Sequence, residues 1–442
     1  MIQLSPGQIA AKEKVNAWLE QCERERASTA GTQRPKPSQP VFKLQGYAGT
    51  GKTTVIKALL ERFMTKNEVP TDDVESVEAQ MANLRQHASF AAFTGKAALV
   101  MSRNGLPAQT IHSLIYKPKP TDVEKCERLF KAIKSTTDKA EKAKLKAELA
   151  ETQKVSFRRQ DSSETDLVKK KVLVLDECSM VNQVMLNDLL SFNVPILALG
   201  DPGQLPPIDG TGALTVGTPD VLLTEIHRQA ADNPIIEYAT RARTGMALVY
   251  GERGGSKVVA QGKLTAREVL GVDQILAGKN ATRQMLNQRI RTLRGFSGTY
   301  PCVGEKLICL RNDAEKGLFN GLMGEVVEVG DLYGATIELK IKLETQQPDE
   351  PPIVVEALRA HFDAYSDKDA LENVKWWDKR GAQEFDYGYA ITVHKSQGSQ
   401  WDNVILWDDG MFKWGRDHAE TRKQWLYTGI TRAAQNIIVA EK

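Results

Sequence analysis

Residues 46–53 read Gly-Tyr-Ala-Gly-Thr-Gly-Lys-Thr, and this segment constrains the fold more than any other part of the chain. It satisfies the P-loop pattern G-x-x-x-x-G-K-[ST]. The apolar residues 41–44 precede it and the helix-forming residues 54–60 follow it, so the context predicts a strand, a glycine-rich turn and a helix. An ordinary glycine turn is the alternative, but the full pattern in this context rarely arises by chance. We therefore predict a phosphate-binding loop.

The chemistry of such a loop predicts the ligand. Glycines let the backbone fold into a nest whose N–H groups point at phosphate oxygens, and the helix N-terminus adds partial positive charge. Lys52 is expected to reach the β- and γ-phosphates, and the Thr53 hydroxyl is expected to bind Mg²⁺. We predict ATP and Mg²⁺ as ligands, with the nucleotide held by Gly46, Ala48, Gly49, Thr50, Gly51, Lys52, Thr53 and Thr54.

Composition limits the class of protein. The 442 residues are too many for one ordinary core, and a content of 41% hydrophobic and 26% charged residues is typical of globular domains. No apolar run approaches the ~20 residues that span a membrane, and the first residues lack the layout of a signal peptide. The five cysteines show no metal-ligand spacing. We therefore expect a cytoplasmic protein without a membrane partner. At a net charge of +3, any nucleic-acid site needs locally gathered positive charge.

Buried strands alternate with helical segments along most of the chain. Residues 89–94, 172–175 and 195–200 read as buried strands between helices, which predicts an α/β fold with a parallel sheet and crossover helices. Residues 273–277 and 403–407 indicate a second sheet of the same kind.

Other segments interrupt this pattern. Residues 120–154 predict a charged helical hairpin whose alternating Lys and Glu residues favour a solvated face. The segment 363–383 is charged and predicts helix, without a firm assignment. Residues 303–360 predict a small antiparallel barrel, with short strands at 305–310, 324–329 and 336–343.

Two acidic residues, Asp176 and Glu177, follow the apolar residues 172–175 directly. A buried parallel strand ends at the sheet edge where ligands bind. Beside a P-loop, one carboxylate holds Mg²⁺ and the other polarises the attacking water. A surface Asp-Glu pair is the alternative, but the buried strand before it argues against that reading. We assign Asp176 to the metal and Glu177 to the water.

The ordered series of motifs resembles that of superfamily 1 helicases, and most closely the RecD/Dda-type DNA helicases. Beside the P-loop and Asp176-Glu177, the similar segments are AFTGKAA (92–98), QTIHSL (109–114), GDPGQLPP (200–207), LTEIHRQ (223–229), YAITVHKSQG (389–398) and YTGITRA (427–433). They occur in the family's order, so the resemblance covers the chain nearly end to end. The two inserts, 120–154 and 363–383, match nothing in the family pattern.

The resemblance implies two RecA-like parallel-sheet motor domains in tandem. It implies that Gln8 reads adenine, that Gly398 contributes to the nucleotide site and that Gln204 senses the γ-phosphate. It also implies that Arg228 and Arg432 act as catalytic arginines from the second unit, beside the catalytic Lys52 and Glu177. The expected domains are 1–115 with 170–225 (first motor), 116–169 (inserted charged segment), 226–302 with 384–442 (second motor) and 303–383 (inserted SH3-like β-barrel).

The resemblance further implies a face that contacts DNA. Small polar and basic side chains bind the phosphate backbone without reading sequence. Each of these residues also has an ordinary alternative, because threonines cap helices and buried histidines support structure. The implied DNA contacts are Thr94, Lys96, Thr110, His112, Thr392, His394 and Lys395.

Exposed aromatic residues are weaker candidates. Phe157 suits a wedge at the duplex junction, but packing is the more ordinary reading. Trp376, Trp377 and Trp414 suit base stacking, and packing beneath a long loop is the alternative.

The leading hypothesis is an ATP-dependent helicase that moves along single-stranded DNA and opens single/double-strand junctions. The resemblance implies 5′→3′ movement and roles beside replication, repair or recombination proteins. Both arginines lie in one chain, so a monomer suffices. An RNA helicase stays open, because discrimination of the 2′-OH is not visible in sequence. A non-motor P-loop switch or loader is the competitor from another class, and the second-unit arginines argue against it.

Overall fold

The computed structural model describes residues 4–28, 35–60, 82–119, 122–153, 156–207, 212–225, 233–313, 315–367, 369–411 and 418–442. The strands are β1 (Val41–Gly46), β2 (Ala88–Ala92), β3 (Ala108–Thr110), β4 (Tyr116–Pro118), β5 (Phe157–Arg159), β6 (Val172–Asp176), β7 (Ile196–Gly200), β8 (Val221–Leu223), β9 (Gly251–Arg253), β10 (Ser256–Ala260), β11 (Gln274–Ala277), β12 (Lys306–Cys309), β13 (Met323–Tyr333), β14 (Thr336–Leu343), β15 (Ile353–Leu358), β16 (Phe385–Tyr387), β17 (Ala390–Thr392), β18 (Trp401–Trp407) and β19 (Ala433–Glu441).

Helices cover both parallel sheets and form the inserted hairpin. They are α1 (Pro6–Ala27), α2 (Lys52–Leu60), α3 (Gly95–Arg103), α4 (Ile111–Ile115), α5 (Val123–Ser135), α6 (Lys139–Gln153), α7 (Gln183–Leu190), α8 (Pro234–Thr244), α9 (Ala266–Leu270), α10 (Asn280–Leu293), α11 (Ala360–Asp363), α12 (Trp376–Gly381) and α13 (Ala419–Ile430). Within the described ranges, every helix is too short or too polar to cross a lipid bilayer.

The first sheet holds six parallel strands in the order β3-β2-β6-β7-β1-β8. Its central strand β6 shows why the apolar run is continuous. Val172 and Val174 pack on one face, beneath α1, α2 and α3. Leu173 and Leu175 pack on the other, with α4 and α7. Because successive side chains of a strand point to opposite faces, a strand covered on both sides needs an apolar residue at every position.

The second sheet follows the order β17-β11-β18-β19-β10-β9, parallel except for the edge strand β9. Helices α8 and α13 pack on one face, where Tyr238 and Trp425 lie in a common core with Leu406 and Val439. The prediction of an α/β fold with two parallel-sheet units is therefore confirmed.

The third sheet is antiparallel, in the order β15-β14-β13-β12-β16. In β14 the residues alternate between buried and half-buried, as predicted for residues 336–343. The two edges of the sheet approach each other, since Gln383 donates its N–H to the Glu356 carbonyl oxygen and its own carbonyl oxygen accepts from the Leu358 N–H, both at 2.8 Å. This joins the β15 edge to the segment leading into β16.

The structure corrects the prediction for the end of this insert. Residues 363–383 are not one helix: α11 ends at Asp363, α12 covers Trp376–Gly381, and the described residues between them form turns. Strand β16 pairs with β12 beyond the predicted boundary at residue 383. The sequence misses β16 because three residues, Phe-Asp-Tyr, carry too short a pattern to identify a strand.

The charged insert is a helical hairpin on a short ribbon. Helices α5 and α6 pack against each other, and β4 and β5, which precede and follow them in the chain, pair as a two-stranded antiparallel sheet. The Phe130 ring of α5 meets the Trp377 ring of α12 edge-on, at 5.1 Å between centroids. The two inserts therefore contact each other.

We expect one buried ion pair to stabilise the junction between the second and third sheets. Arg291 of α10 donates from Nε and Nη2 to the two carboxylate oxygens of Glu305, at 2.8 and 2.9 Å. Glu305 is fully buried. Glu305→Ala leaves the buried guanidinium without its carboxylate partner, which should lower the free energy of unfolding by about 3–5 kcal/mol. Urea denaturation measures this loss.

Glu328→Ala is the matched control, since it removes an exposed partner of Lys340 from the third sheet. We expect it to cost under about 1 kcal/mol. Equal losses in the two variants would contradict the assignment of Glu305.

Candidate functional site

The P-loop joins the end of β1 to the start of α2. Gly49 and Gly51 have φ angles of 81° and 73°, in the region that favours glycine. A Cβ on Gly51 would lie 2.4 Å from Nε2 of Gln8. Gln8, buried in the first turn of α1, donates from Nε2 to the Thr50 carbonyl oxygen at 3.2 Å. Gln8, which the sequence predicts to read adenine, is therefore hydrogen-bonded to the backbone of the P-loop.

Lys52 is the cation of the loop. Its Nζ donates to the Gly46 carbonyl oxygen at 2.6 Å and to the Tyr47 carbonyl oxygen at 3.2 Å. The amine is thus folded against the carbonyl oxygens of its own loop. Thr53 is exposed and Thr54 half-buried in the first turn of α2, where the N–H of Thr54 donates to the Gly51 carbonyl oxygen. The predicted nucleotide-binding residues of this loop lie together.

Asp176 and Glu177 follow β6 beside this loop. Glu177 has φ 52° and ψ 43°, a left-handed conformation that costs a residue other than glycine about 1–2 kcal/mol. The Glu177 N–H donates to Asp176 Oδ1 at 2.8 Å. Burial raises the pKa of both carboxyl groups, and the Lys52 charge opposes the rise in each. Adjacent carboxylates with few compensating cations favour binding of a further cation.

The residues present suit Mg²⁺. Its hard oxygen ligands are usually one or two protein groups, with waters and substrate phosphates completing the octahedron. The Thr53 hydroxyl and the Asp176 carboxylate have this chemistry. In the part of the chain that the structure describes, His, Cys, Asp and Glu side chains form no group of three or more that could hold a metal ion.

Gln204 connects Glu177 with the second unit. With its amide oriented to satisfy both neighbours, the nitrogen donates to Glu177 Oε2 at 3.1 Å and the oxygen accepts from Arg432 Nη2 at 3.2 Å. Arg432 is buried and is held by carbonyl oxygens of Thr428 and Ser399 at 3.1 and 3.2 Å. Its charge is the largest influence that opposes the raised pKa of Glu177. The predicted Glu177, Gln204 and Arg432 are thus brought together.

Further contacts across the cleft involve residues that the sequence reasoning missed. The Tyr427 hydroxyl donates to Asp201 Oδ2 at 2.7 Å and accepts from the Ala48 N–H at 2.9 Å. The Leu205 N–H donates to Thr428 Oγ1 at 2.9 Å, and Gln397 Nε2 donates to the Leu205 carbonyl oxygen at the same distance. Their positions inside the motifs were a signal, but only the fold reveals these partners.

Several of the predicted DNA contacts lie near the ends of the first sheet's strands. Thr94 and Thr110 cap α3 and α4, each accepting an N–H three residues ahead at 3.1 Å. His112 lies among the rings of Phe93, Tyr116 and Phe157, with centroids 5.5–6.0 Å away. Burial lowers the pKa of His112, which favours its neutral form. The ordinary capping roles of both threonines are therefore present in the structure.

Lys96 is engaged across the cleft. Its Nζ lies 2.8 Å from Oε1 of Glu344, in the turn that follows β14, and 5.0 Å from the centroid of the Trp401 ring. This basic candidate is therefore already neutralised by a carboxylate.

The second unit contributes Thr392, His394 and Lys395. Thr392 Oγ1 accepts from the Lys395 N–H at 3.3 Å. Burial lowers the pKa of His394, and it lowers the pKa of Lys395 to about 8. A Cβ on Gly398, whose φ is 76°, would lie 3.0 Å from Thr94 Oγ1.

The segment that follows Lys395 therefore approaches Thr94 and α3 at Gly398. The structure places Gly398 against α3, and its role as a nucleotide contact stays a prediction. Arg228 and Trp414 lie outside the described residues.

Comparison with known families agrees with this geometry. The AAA domain family model matches residues 32–261, about half of the chain. The chain belongs to the AAA domain family. A second model, the UvrD-like helicase C-terminal domain, matches residues 387–440 and thus includes Lys395 and Arg432. These matches confirm the resemblance to superfamily 1 helicases of the RecD type.

Individual relatives share part of this AAA-domain chain. It is 28% identical over 298 residues to the ATP-dependent RecD2 DNA helicase of Deinococcus radiodurans. The aligned region covers 61% of this chain and 36% of that protein. It is 27% identical over 274 residues to the conjugal transfer protein TraA of Agrobacterium fabrum, covering 54% and 22%. The chain therefore matches about a third or less of the length of these relatives.

Solved structures share its fold. The Pif1 helicase of Candida albicans covers 100% of this chain and 94% of its own, with a TM-score of 0.51 and 18% identity. A second Pif1 helicase structure covers 99% and 92%, with a TM-score of 0.50 and 18% identity. At these identities the likeness shows the fold alone.

Proposed function

We propose that this AAA-domain protein is an ATP-dependent DNA helicase that moves 5′→3′ along single-stranded DNA and opens duplexes. The observation that carries the proposal is the link from Glu177 through Gln204 to Arg432. It joins the carboxylate suited to activating water with a permanently charged side chain from the other parallel sheet. A site built from two sheets is complete only when they close together, so hydrolysis and domain movement are coupled.

Each residue has a defined part in the proposed reaction. Lys52 leaves its loop carbonyl oxygens for the β- and γ-phosphates of ATP, and Glu177 orients and polarises the attacking water. Gln204 senses the γ-phosphate and is hydrogen-bonded to Arg432. The planar guanidinium of Arg432 stabilises the charge that develops during phosphoryl transfer. Mg²⁺, held by Thr53 and Asp176, would supply positive charge beside the phosphates. Gln8 would read adenine, as the resemblance implies.

Movement follows from a shared nucleic-acid face. We infer that Thr94, Lys96, Thr110 and His112 of the first motor domain grip the strand in alternation with Thr392, His394 and Lys395 of the second. The close approach of Gly398 to the start of α3, where a Cβ would lie 3.0 Å from Thr94 Oγ1, supports one continuous face across both domains. The proposed motor domains are 1–115 with 170–225 and 226–302 with 384–442.

The relatives support this choice. RecD2 of Deinococcus radiodurans is described as an ATP-dependent DNA helicase, and one Pif1 structure concerns DNA unwinding at forked double-stranded DNA. The direction rests on the resemblance to RecD/Dda-type helicases alone. A non-motor switch does not need Arg432 beside Glu177, so the cleft favours the motor.

Stimulation by nucleic acid and unwinding of tailed duplexes test the whole proposal. ATP hydrolysis should be slow without nucleic acid and rise many-fold with a single-stranded oligonucleotide. A duplex with a 5′ single-stranded tail should be unwound, whereas its 3′-tailed counterpart should not. Strand separation is followed with a labelled strand, beside a matched RNA substrate.

Each alternative has a distinct outcome. ATP hydrolysis that does not depend on nucleic acid would contradict the motor function. Stronger stimulation by RNA would make this an RNA helicase, and unwinding of the 3′-tailed duplex instead would reverse the proposed direction.

Glu177→Gln tests the role of the carboxylate. The amide keeps the shape but cannot polarise water, so we expect a loss of hydrolysis of at least about a hundredfold. Binding of a fluorescent ATP analogue should change less than about threefold, because Lys52 and the loop amides remain. Glu164→Gln, on the exposed insert where Glu164 pairs with Arg158, is the matched control. Normal turnover in Glu177→Gln would remove this residue from the mechanism.

Lys395 should make DNA binding depend on pH. Arg283 adds to the effect of burial, while Asp386, Cys309 and Glu384 oppose it, and the resulting pKa is about 8. The amine is therefore charged at pH 7 and mostly neutral at pH 9. If a phosphate restores an ordinary pKa of about 10.4 in the complex, affinity should fall about tenfold between these values.

Fluorescence anisotropy of a labelled single strand at constant ionic strength measures this dependence. Lys395→Arg stays charged and should flatten the profile. A profile of equal slope in both proteins would exclude Lys395 as the phosphate contact.

A further inference from the structure

Tyr427 joins three functional segments through one hydroxyl group. It lies near the end of α13 and is buried, at 2% exposure. The hydroxyl donates to Asp201 Oδ2 at 2.7 Å and accepts from the Ala48 N–H at 2.9 Å. Ala48 belongs to the P-loop and Asp201 to the segment containing Gln204, so both partners belong to the first unit. Tyr427 itself belongs to the second unit.

The Tyr427 ring packs closely against the backbone of Gly203. A Cβ on Gly203 would lie 2.9 Å from Tyr427 Cε1, so the glycine allows the ring to approach the backbone. The Gly203 N–H donates to Asp201 Oδ1 at 2.9 Å, which leaves Oδ2 for the tyrosine. Burial raises the pKa of both Tyr427 and Asp201, and the hydrogen bond from the hydroxyl opposes the rise for Asp201.

The same helix end carries the catalytic arginine. Arg432 Nε donates to the carbonyl oxygen of Thr428, the residue after Tyr427. Thr428 Oγ1 accepts from the N–H of Leu205, which follows Gln204. A displacement of Ala48 or Asp201 therefore moves the backbone on which Arg432 is mounted.

We propose that Tyr427 is a positioning residue that couples the P-loop to the placement of Arg432. The inference rests on the proposed ATPase function and deepens it. Tyr427 acts through Ala48 and Asp201, and ground-state binding of the triphosphate depends on Lys52 and the other loop amides. The hydroxyl should therefore matter for the rate of hydrolysis and little for the affinity for ATP.

Tyr427→Phe tests this coupling, because it removes the hydroxyl and keeps the ring. Tyr387→Phe is the matched control: Tyr387 is equally buried in the second half of the chain, and its hydroxyl donates to the Thr299 carbonyl oxygen at 2.8 Å. With saturating single-stranded DNA, Tyr427→Phe should lower kcat at least about tenfold and change the KM for ATP less than about threefold. The control should keep both within about twofold.

Hydrogen exchange gives a readout that does not need hydrolysis. Without nucleotide, a peptide containing Ala48 should exchange about tenfold faster in Tyr427→Phe than in Tyr387→Phe, because its amide loses an acceptor. Asp201→Asn combined with Tyr427→Phe should be no slower in turnover than the slower single variant, since both disrupt one link.

Unchanged exchange at Ala48 would overturn the coupling even if the wild-type protein proved to lack ATPase activity. If the wild-type protein hydrolyses ATP and Tyr427→Phe has a normal kcat, the coupling is overturned but the helicase proposal is not. Equal losses of kcat and melting temperature in both tyrosine variants would reduce Tyr427 to a packing role.

Discussion

The cleft between the two parallel sheets depends on the placement of buried charge. Burial raises the pKa of Glu177, and the nearby charges of Asp176 and Asp201 add to the rise. The cations that oppose this rise are Lys52 from the same sheet and Arg432 from the other. Removing either cation leaves carboxylates buried with less compensation, which is costly. The two sheets are therefore bound to each other by electrostatics as well as by packing.

This constraint also explains which parts of the site were predictable. The P-loop and the strand before Asp176 have patterns that local physics produces directly: glycines at positive φ, and an apolar residue at every position of a strand covered on both faces. Contacts across the cleft have no such signature. Nothing in the spacing of Ala48, Asp201 and Tyr427 brings them together, because the sheet order β3-β2-β6-β7-β1-β8 is set by crossovers. Family order predicted Gln204 and Arg432, but not the tyrosine between them.

The residues of the proposed nucleic-acid face show a second limit of sequence reasoning. Thr94 and Thr110 do what threonine ordinarily does before a helix. A hydroxyl that accepts a capping hydrogen bond can still donate its own proton, but the Thr110 hydroxyl already donates to Ser113 Oγ at 3.0 Å. A phosphate that binds Thr110 therefore has to replace this hydrogen bond. Lys96 differs, because its ammonium already lies beside Glu344. A phosphate that binds Lys96, as proposed, would have to compete with that carboxylate.

The third sheet gives this competition a mechanical meaning. Besides the ion pair of Glu344 with Lys96, the Thr345 carbonyl oxygen accepts a hydrogen bond from Arg103 Nη2 at 2.5 Å. A Cβ built on Gly95 would lie 2.6 Å from Cβ of Phe319, so Phe319 lies directly against this glycine. All three contacts fall on α3, the helix that Thr94 caps and that Gly398 touches. The insert that carries the third sheet therefore rests on the helix beside which both sets of candidate DNA contacts lie. Under the proposed function, a strand phosphate that binds Lys96 has to displace Glu344, so binding of the strand would loosen one of the contacts between the insert and α3.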